Sequence, residues 1–309
     1  MRILLTGGAG FIGSNLADAF IAENHEVLVL DDLSTGRRSN VPARAALVEG
    51  DIRDPATRGV VAKFEPDVLC HHAAQIDVRK SVADPSSDAD VNIVGSVRLL
   101  EACRAAGTRR VLFASTGGAI YGEQDAHPAT ESHPARPVSP YGVAKLSVEH
   151  YLHYYAVEHG FRATCLRYAN VYGPRQNAHG EAGVIAIFVE KFLAGGAPTI
   201  HGKGEQTRDF VFVGDVVRAN LAALEHDLTG AYNVGTGVET SVNALCEAIR
   251  AAVGTSLVAA HGPGKPGEQL RSSLDASALT RATGWKPETA LADGIRATVE
   301  DFRAAKRTL

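Results

Sequence analysis

Cysteine is scarce in this chain, and nothing in its placement organises a fold. Four are present among 309 residues (Cys70, Cys103, Cys165 and Cys246), with no CxxC and no His/Cys pair at metal-ligand spacing. Their scatter argues against a disulfide framework or a zinc site and points to a reducing cytosol. Long apolar runs are missing too: none approaches the about 18 residues that a membrane span needs. The opening MRILLTGGAG breaks at glycines, unlike a signal peptide. Nor is one charge in large excess. The 35 acids and 31 bases leave a net charge of −4, which excludes a disordered chain and lends no support to a nucleic-acid binder. Arg104, Arg109 and Arg110 read as a solvated helix end and loop, and His71-His72 as packing rather than metal ligation. Internal repeats and low-complexity tracts are absent.

What remains is an ordinary globule, 45% hydrophobic, with 31 glycines. Its length suits two parts sharing a large core. Short β-branched or leucine-rich runs at 2–6, 26–30, 45–48, 67–71, 110–114 and 162–167 read as strands. Helical spacing at 12–22, 55–64, 78–105 and 139–159 separates them. Repeated β–α–β units predict an α/β fold, a doubly wound parallel Rossmann sheet with helices on both faces. After Asn170 a Gly/Asn/Pro-rich loop leads to a helix over 184–193. A short strand (211–213), a helix (215–224) and an apolar strand (231–234) follow and rejoin the first part. The remainder reads as helical except near 256–259. The expected division is 1–170 plus 213–235 for the sheet domain, and 171–212 plus 236–309 for a smaller, discontinuous α/β domain.

The segment TGGAGFIG places Gly7, Gly10 and Gly13 between the first strand and the first helix. Gly7 permits the turn, Gly10 lets a pyrophosphate approach the backbone, and Gly13 lets the helix pack closely. The helix N-terminus offers unpaired N–H groups to the phosphates. Asp31 ends the second strand, 18 residues beyond Gly13. A carboxylate there suits ribose hydroxyls and repels a 2′-phosphate, which favours NAD over NADP; Arg37 and Arg38 read as solvated. Asp51-Ile52, after the third strand, are placed to meet an adenine edge.

Ser139-Pro140 begins a helix on which Tyr141 and Lys145, four apart, share a face. A tyrosine of pKa about 10 needs to fall roughly three units to act as a base near neutrality, about 4 kcal/mol. One ammonium near 4 Å supplies about that much at an effective dielectric of 20. Ser115 and Thr116 lie at the C-terminal edge of a strand, where open α/β sheets bind ligands, and either hydroxyl could meet the substrate oxygen.

The motifs TGGAGFIG, LDDLSTG, GDIRD, HHAAQIDV, ASTGGAIYGE, SPYGVAK, LRYANVYGPRQ and RDFVFVGDV, with a late GWKP, span nearly the whole chain. Their set resembles the extended short-chain dehydrogenase/reductases, most of all the UDP-galactose (UDP-glucose) 4-epimerases. The resemblance implies tightly bound NAD along Gly7, Gly10, Phe11, Ile12, Gly13, Asp31, Asp32, Ser34, Thr35 and Gly36. It extends the cofactor contacts to Asp51, Ile52, Ala73, Ala74, Gln75, Asn92, Ala114 and Tyr168, with Tyr141 and Lys145 as the catalytic pair. Thr116 matches the family's catalytic hydroxyl, with Ser115 as a substitute. A UDP-hexose would meet Gln75, Thr116, Tyr141 and Asn170, then Gly183, Val184, Ile200, His201 and Arg208, and finally Lys265, Glu268 and Ser272. Where relatives carry Arg-Pro-Gly-Asp this chain reads Lys265-Pro266-Gly267-Glu268, so Arg271 is an alternative phosphate donor.

Gly117 and Gly118 stand where dehydratases and decarboxylases of this branch place acids, which argues for simple epimerisation. Two alternatives remain: a uronic-acid epimerase using Arg175 or Arg79 as its extra cation, and a non-catalytic NAD or nucleotide-sugar sensor. Ser272, in place of a bulky tyrosine, implies room for an N-acetyl group. His179 falls in the loop near the expected substrate site. The helices near 89–105 and 141–159 imply a homodimer, with Val91, Val94, Leu99, Leu152 and Tyr155 as its apolar stripe. No metal, membrane or nucleic-acid partner is expected.

Overall fold

The computed structural model describes residues 1–178, 183–264 and 269–307. Seven strands form the central sheet: β1 (Arg2–Thr6), β2 (Glu26–Asp31), β3 (Ala46–Glu49), β4 (Val68–His71), β5 (Arg110–Thr116), β6 (Arg162–Tyr168) and a later strand, Gly230–Val234. Their order is β3-β2-β1-β4-β5-β6 followed by the later strand, and every pairing is parallel. β1 and β4 are near-continuous apolar runs because helices cover both faces of the sheet. From β1 the chain winds outward through β2 and β3, then crosses back to β4. That reversal opens a crevice beyond the carboxyl ends of β1 and β4, where ligands bind in such sheets.

Two apolar layers flank the sheet. One packs the helices Phe11–Ala22 and Val213–Glu225 against it; the other packs Thr57–Phe64, Ser96–Ala105 and Pro140–His159. A third core gathers Tyr172, Ile185, Phe188, Phe192, Leu245, Ile249 and Ile295 from the helices Val184–Leu193, Val242–Val253 and Leu291–Arg307 and their surroundings. Small sheets support it: Asn170–Tyr172, Thr207–Phe212 and Glu239–Ser241 in one, Thr199–His201 and Ala260–Gly262 in the other.

Several sequence expectations shift. The strand placed at 211–213 is longer and earlier, Thr207–Phe212, and the run near 256–259 gives way to a strand at Ala260–Gly262. The stretch after 236 is less helical than its pattern suggested, since Glu239–Ser241 also pairs as a strand. Leu274, Leu279 and Trp285 fill the first core, so part of that stretch returns to the central sheet. The helical run at 78–105 is broken: Val78–Ala83 ends at Asp84, Pro85 starts a second short helix, and Asp90–Gly95 is a π-turn leading into Ser96–Ala105. Periodicity cannot reveal a π-turn, which inserts one residue into an otherwise regular helix.

Candidate active site

A cavity of about 780 Å³ runs along the carboxyl edge of the sheet, from the glycine loop to the third core. Gly7 adopts φ +69°, and a side chain there would strike the backbone at His72 and Ala73, so β1 and β4 exit in close contact. A Cβ on Gly13 would stand 2.1 Å from the Gly7 carbonyl oxygen. The helix Phe11–Ala22 begins at Gly10 with no side-chain cap, leaving its first N–H groups directed at the cavity. Asp31 accepts the amides of Ala9 and Leu33, both at 2.9 Å, and so ties the glycine loop to the end of β2. Burial raises its pKa against those two hydrogen bonds. These features fit a dinucleotide: a tight cradle, an uncapped helix end for its phosphates and a carboxylate at the far side.

Tyr141 and Lys145 enter from the helix Pro140–His159, whose first turn is capped by the Ser139 hydroxyl accepting from the Gly142 amide. Lys145 is 4% exposed. Its ammonium donates to the Ala114 carbonyl at 2.9 Å and lies 4.8 Å from the Phe113 ring centroid and 5.9 Å from that of Tyr141. Burial lowers its pKa to about 8, opposed by the charges of Asp88 and Glu149.

The two candidate hydroxyls part company. Ser115 donates to Glu149, which is paired in turn with Arg167 in a buried network. Thr116 lines the cavity with no hydrogen bond from its hydroxyl to another described residue. Thr116→Ala is therefore expected to lower kcat about 10²-fold with little change in Tm. Ser115→Ala is expected to cost about 1 kcal/mol of stability with a much smaller effect on kcat. Steady-state rates and thermal melts on both variants check this pair.

Two histidines at the end of β4 feel the charge of Lys145. The Thr6 hydroxyl accepts the His72 and Ala73 amides and lies 2.7 Å from His71 Nδ1, to which it donates. His71 therefore carries its proton on Nε2, 2.8 Å from the Ser96 hydroxyl, which donates to the Asn92 carbonyl. His72 lines the cavity, and its Nε2 shares a hydrogen bond of 3.1 Å with the Tyr168 hydroxyl, to which Asn220 also donates. Burial lowers the pKa of both histidines to about 3, and the Lys145 charge adds to the effect, so both are neutral around pH 7.

The cavity wall brings together Gly7, Gly10, Phe11, Ile12, Gly13, Asp31, Asp32, Ser34, Thr35, Asp51, Ile52, Ala73, Ala74, Gln75, Ala114, Ser115, Thr116, Tyr141, Lys145, Tyr168 and Asn170. It also includes Gly183, Val184, Ile200, His201 and Arg208. Some of these also have partners within the protein. Gln75 has every polar group engaged: its main chain by the Asn92 carboxamide, its side chain by Asp77 and Asp88. The Asp51 carboxylate is taken by Arg53, which lowers its pKa. Asn92 and Gly36 stand behind the wall; Gly36 packs on Ala9 and Asp31.

Ser272 is buried against Gln124 and does not reach the wall. Arg271 is paired with Glu239 and is likewise absent from it. Lys265, Glu268 and His179 lie outside the described residues. His72, Ile76, Lys80, Phe188 and Gln206 also line the cavity, and sequence reasoning did not place them there. His72 and Ile76 stand inside the HHAAQIDV motif, so their membership of it was a signal. Among the described residues no group of His, Cys, Asp and Glu is arranged to hold a metal, and no helix is long and apolar enough to cross a membrane.

A Rossmann sheet with an open glycine cradle, and a Tyr–Lys pair at the carboxyl edge of β5, defines a dinucleotide-dependent enzyme acting on an oxygen-bearing carbon. The family model for the NAD dependent epimerase/dehydratase family matches residues 3–235, and the chain belongs to that family. It is 48% identical to a UDP-glucose 4-epimerase of Mycolicibacterium smegmatis, over 98% of this chain and 99% of that one. Two solved structures are similar over 99% of this chain and 100% of their own. One is the UDP-glucose 4-epimerase of Thermotoga maritima with UDP-glucose (TM-score 0.95, 43% identity). The other is the UDP-glucose 4-epimerase of Thermus thermophilus in complex with NAD (TM-score 0.94, 44% identity).

Proposed function

We propose that this enzyme interconverts UDP-galactose and UDP-glucose by transient oxidation at C4, with NAD retained through turnover. The observation that carries the reading is the meeting of Tyr141, Lys145 and Thr116 in one cavity with the glycine cradle. NAD would be held along the glycine loop, Asp31 and the Ala73-Ala74 turn, where it would supply a hydride acceptor that also returns the hydride. Tyr141, as phenolate, takes the proton of the sugar's 4-hydroxyl, and Thr116 donates a hydrogen bond to the same oxygen. Lys145 stabilises the phenolate by its charge. Arg208 lies in the wall beside Ile200 and His201, where it would hold the diphosphate while the keto-sugar turns to present its other face. Tyr141 then returns the proton, and because the hydride taken from C4 is given back as well, the net redox change is zero.

Local packing supports epimerisation over dehydration. A Cβ on Gly117 would lie 2.4 Å from Leu274 Cδ1, so a side chain at that position requires Leu274 to move, whereas Gly118 has only ordinary contacts and simply lacks an acid. The uronate alternative loses its proposed cations: Arg79 pairs with Asp77, Arg175 pairs with Asp18, and neither lines the cavity. The case for an N-acetyl group loses its residue, because Ser272 lies behind the wall. A non-catalytic sensor has no use for a buried lysine beside a cavity-facing tyrosine. We assign the substrate side to 171–212 plus much of 236–309, and NAD to 1–170 plus 213–235.

We also read the chain as a homodimer through the helices Val78–Ala83 and Pro140–His159. Val82, Val143, Tyr151, Tyr154 and Val157 are exposed there; of the expected stripe Val94 is exposed too, Val91 lines the cavity, and Leu99, Leu152 and Tyr155 are core. Tyr154→Glu is expected to halve the sedimenting mass at micromolar concentration; an unchanged mass rejects this interface. For the activity, purified protein without added NAD is expected to convert UDP-galactose to UDP-glucose, with UDP-GalNAc and UDP-galacturonate as comparison substrates. No turnover of any of them, with NAD present, sinks the reading.

A further inference from the structure

Asp88 is a buried carboxylate near the catalytic pair for which the reaction as described has no use. It lies on the short helix Pro85–Ala89, is 2% exposed and does not line the cavity. Its Oδ1 accepts from Gln75 Nε2 at 2.9 Å and from Asn92 Nδ2 at 3.0 Å. Its Oδ2 is buried with no hydrogen-bond partner. An interior carboxylate with an orphaned oxygen is costly, and a carboxamide would keep both existing bonds through its own oxygen without the charge. Hydrogen bonding to Gln75 and Asn92 therefore does not explain why an acid stands here.

The neighbouring charges do. Lys145 has no ion pair among the described residues, only the Ala114 carbonyl and the face of Phe113. The short helix that carries Asp88 packs against the helix that carries Lys145, and the titratable groups that act on the ammonium are Tyr141 and Glu149 on its own helix, Asp88, and His71 and His72 from the end of β4. Both histidines are neutral near pH 7. Glu149 is already committed to Arg167 of β6 and to the Ser115 hydroxyl. Asp88 and Lys145 are left as two buried charges of opposite sign, neither paired elsewhere among the described residues. Of the influences that oppose the lowering of the Lys145 pKa, Asp88 is the largest, ahead of Glu149.

We propose that Asp88 is a positioning residue for the reaction, its carboxylate balancing the buried ammonium of Lys145 and tying it, through Gln75 and Asn92, to the cofactor-side loop. The inference rests on the epimerase reading, because its main readout is the turnover of UDP-galactose. The sign follows directly. Removing the negative charge makes Lys145 lose its proton at lower pH, and Tyr141 then lacks its counter-charge on the alkaline side. The acid side, where Lys145 remains charged, is affected far less.

The test is the pH profile of kcat for the NAD-bound wild type, Asp88→Asn and Asp88→Glu, with bound NAD and Tm measured on each. For Asp88→Asn the alkaline limb is expected to move down by about one pH unit. Its kcat would then fall about tenfold near pH 9, with KM and bound NAD nearly unchanged. Asp88→Glu is expected to recover most of the lost range. An Asp88→Asn profile superimposable on the wild type overturns the proposal. So does an equal loss at every pH that Asp88→Glu fails to restore, which would mark Asp88 as a packing acceptor only. If Asp88→Asn does not fold, Asp88→Ser, equally uncharged, is read in its place: an alkaline limb moved down supports the proposal, and an unmoved limb overturns it. A wild type that turns over no UDP-sugar defeats the epimerase reading instead, a separate result.

Discussion

Tyr141→Phe is expected to lower kcat for UDP-galactose by between about 10² and 10⁴-fold, the usual worth of a positioned general base. The substitution removes one oxygen from a half-buried ring on the first turn of the helix Pro140–His159 and leaves the ring in place. Lys145 keeps its bond to the Ala114 carbonyl and its seat over Phe113. Bound NAD, affinity for UDP-sugar and Tm should therefore stay near wild type, and the whole effect should fall on kcat. Single-turnover measurement of UDP-glucose formation, beside calorimetric binding of UDP-galactose, separates the two quantities. Near wild-type turnover in this variant would remove Tyr141 as the base, because no other tyrosine ring lies over Lys145 among the described residues.

Gly13→Ala is expected to be the most damaging single methyl in the cofactor cradle. The new carbon would lie 2.1 Å from the Gly7 carbonyl oxygen and 2.8 Å from Gly8 Cα, and both are backbone that cannot swing aside. Relief requires the helix Phe11–Ala22 to move away from β1, which opens the cradle and displaces its N-terminal amides. A cost of about 3 kcal/mol is expected. At about 2–4 °C per kcal/mol for a chain of this size, Tm should fall by about 6–12 °C. Loss of bound NAD removes its stabilising contribution as well. Gly10→Ala makes the contrast, since its nearest contact is the Gly7 oxygen at 3.3 Å. That variant should hold its Tm more closely while binding NAD poorly. Thermal melts with and without NAD, and absorbance of cofactor released on denaturation, read both. Equal behaviour of the two variants would contradict the distinct tasks given to these glycines.

Several site residues were legible because their work is local. The glycine loop depends on backbone clearance within a few residues, and Tyr141 and Lys145 share a face by helical spacing alone. Asp31 was legible from its place at the end of β2, although much of its work proves to be holding the Ala9 and Leu33 amides. Residues whose polar groups have rivals were not. Ser115 and Thr116 are adjacent and chemically alike. Glu149, 34 residues after Ser115, takes one hydroxyl and leaves the other to the cavity. Gln75 looked available until Asn92, Asp77 and Asp88 used up its donors and acceptors. Arg271 was diverted by Glu239, and Arg175 by Asp18.

The sequence by itself determined the sheet, the glycine cradle, the Tyr–Lys pair and the family, because β–α alternation and short motifs are written in spacing along the chain. Tertiary structure decided which polar groups remain to meet a ligand. It broke the 78–105 helix with a π-turn that brings Asn92 to Gln75, buried Asp88 against both, and turned Ser272 away from the cavity. The physical reason is competition. A hydrogen bond or ion pair goes to whichever partner packing brings within reach, and for these residues that partner stands from two to about 150 positions away along the chain.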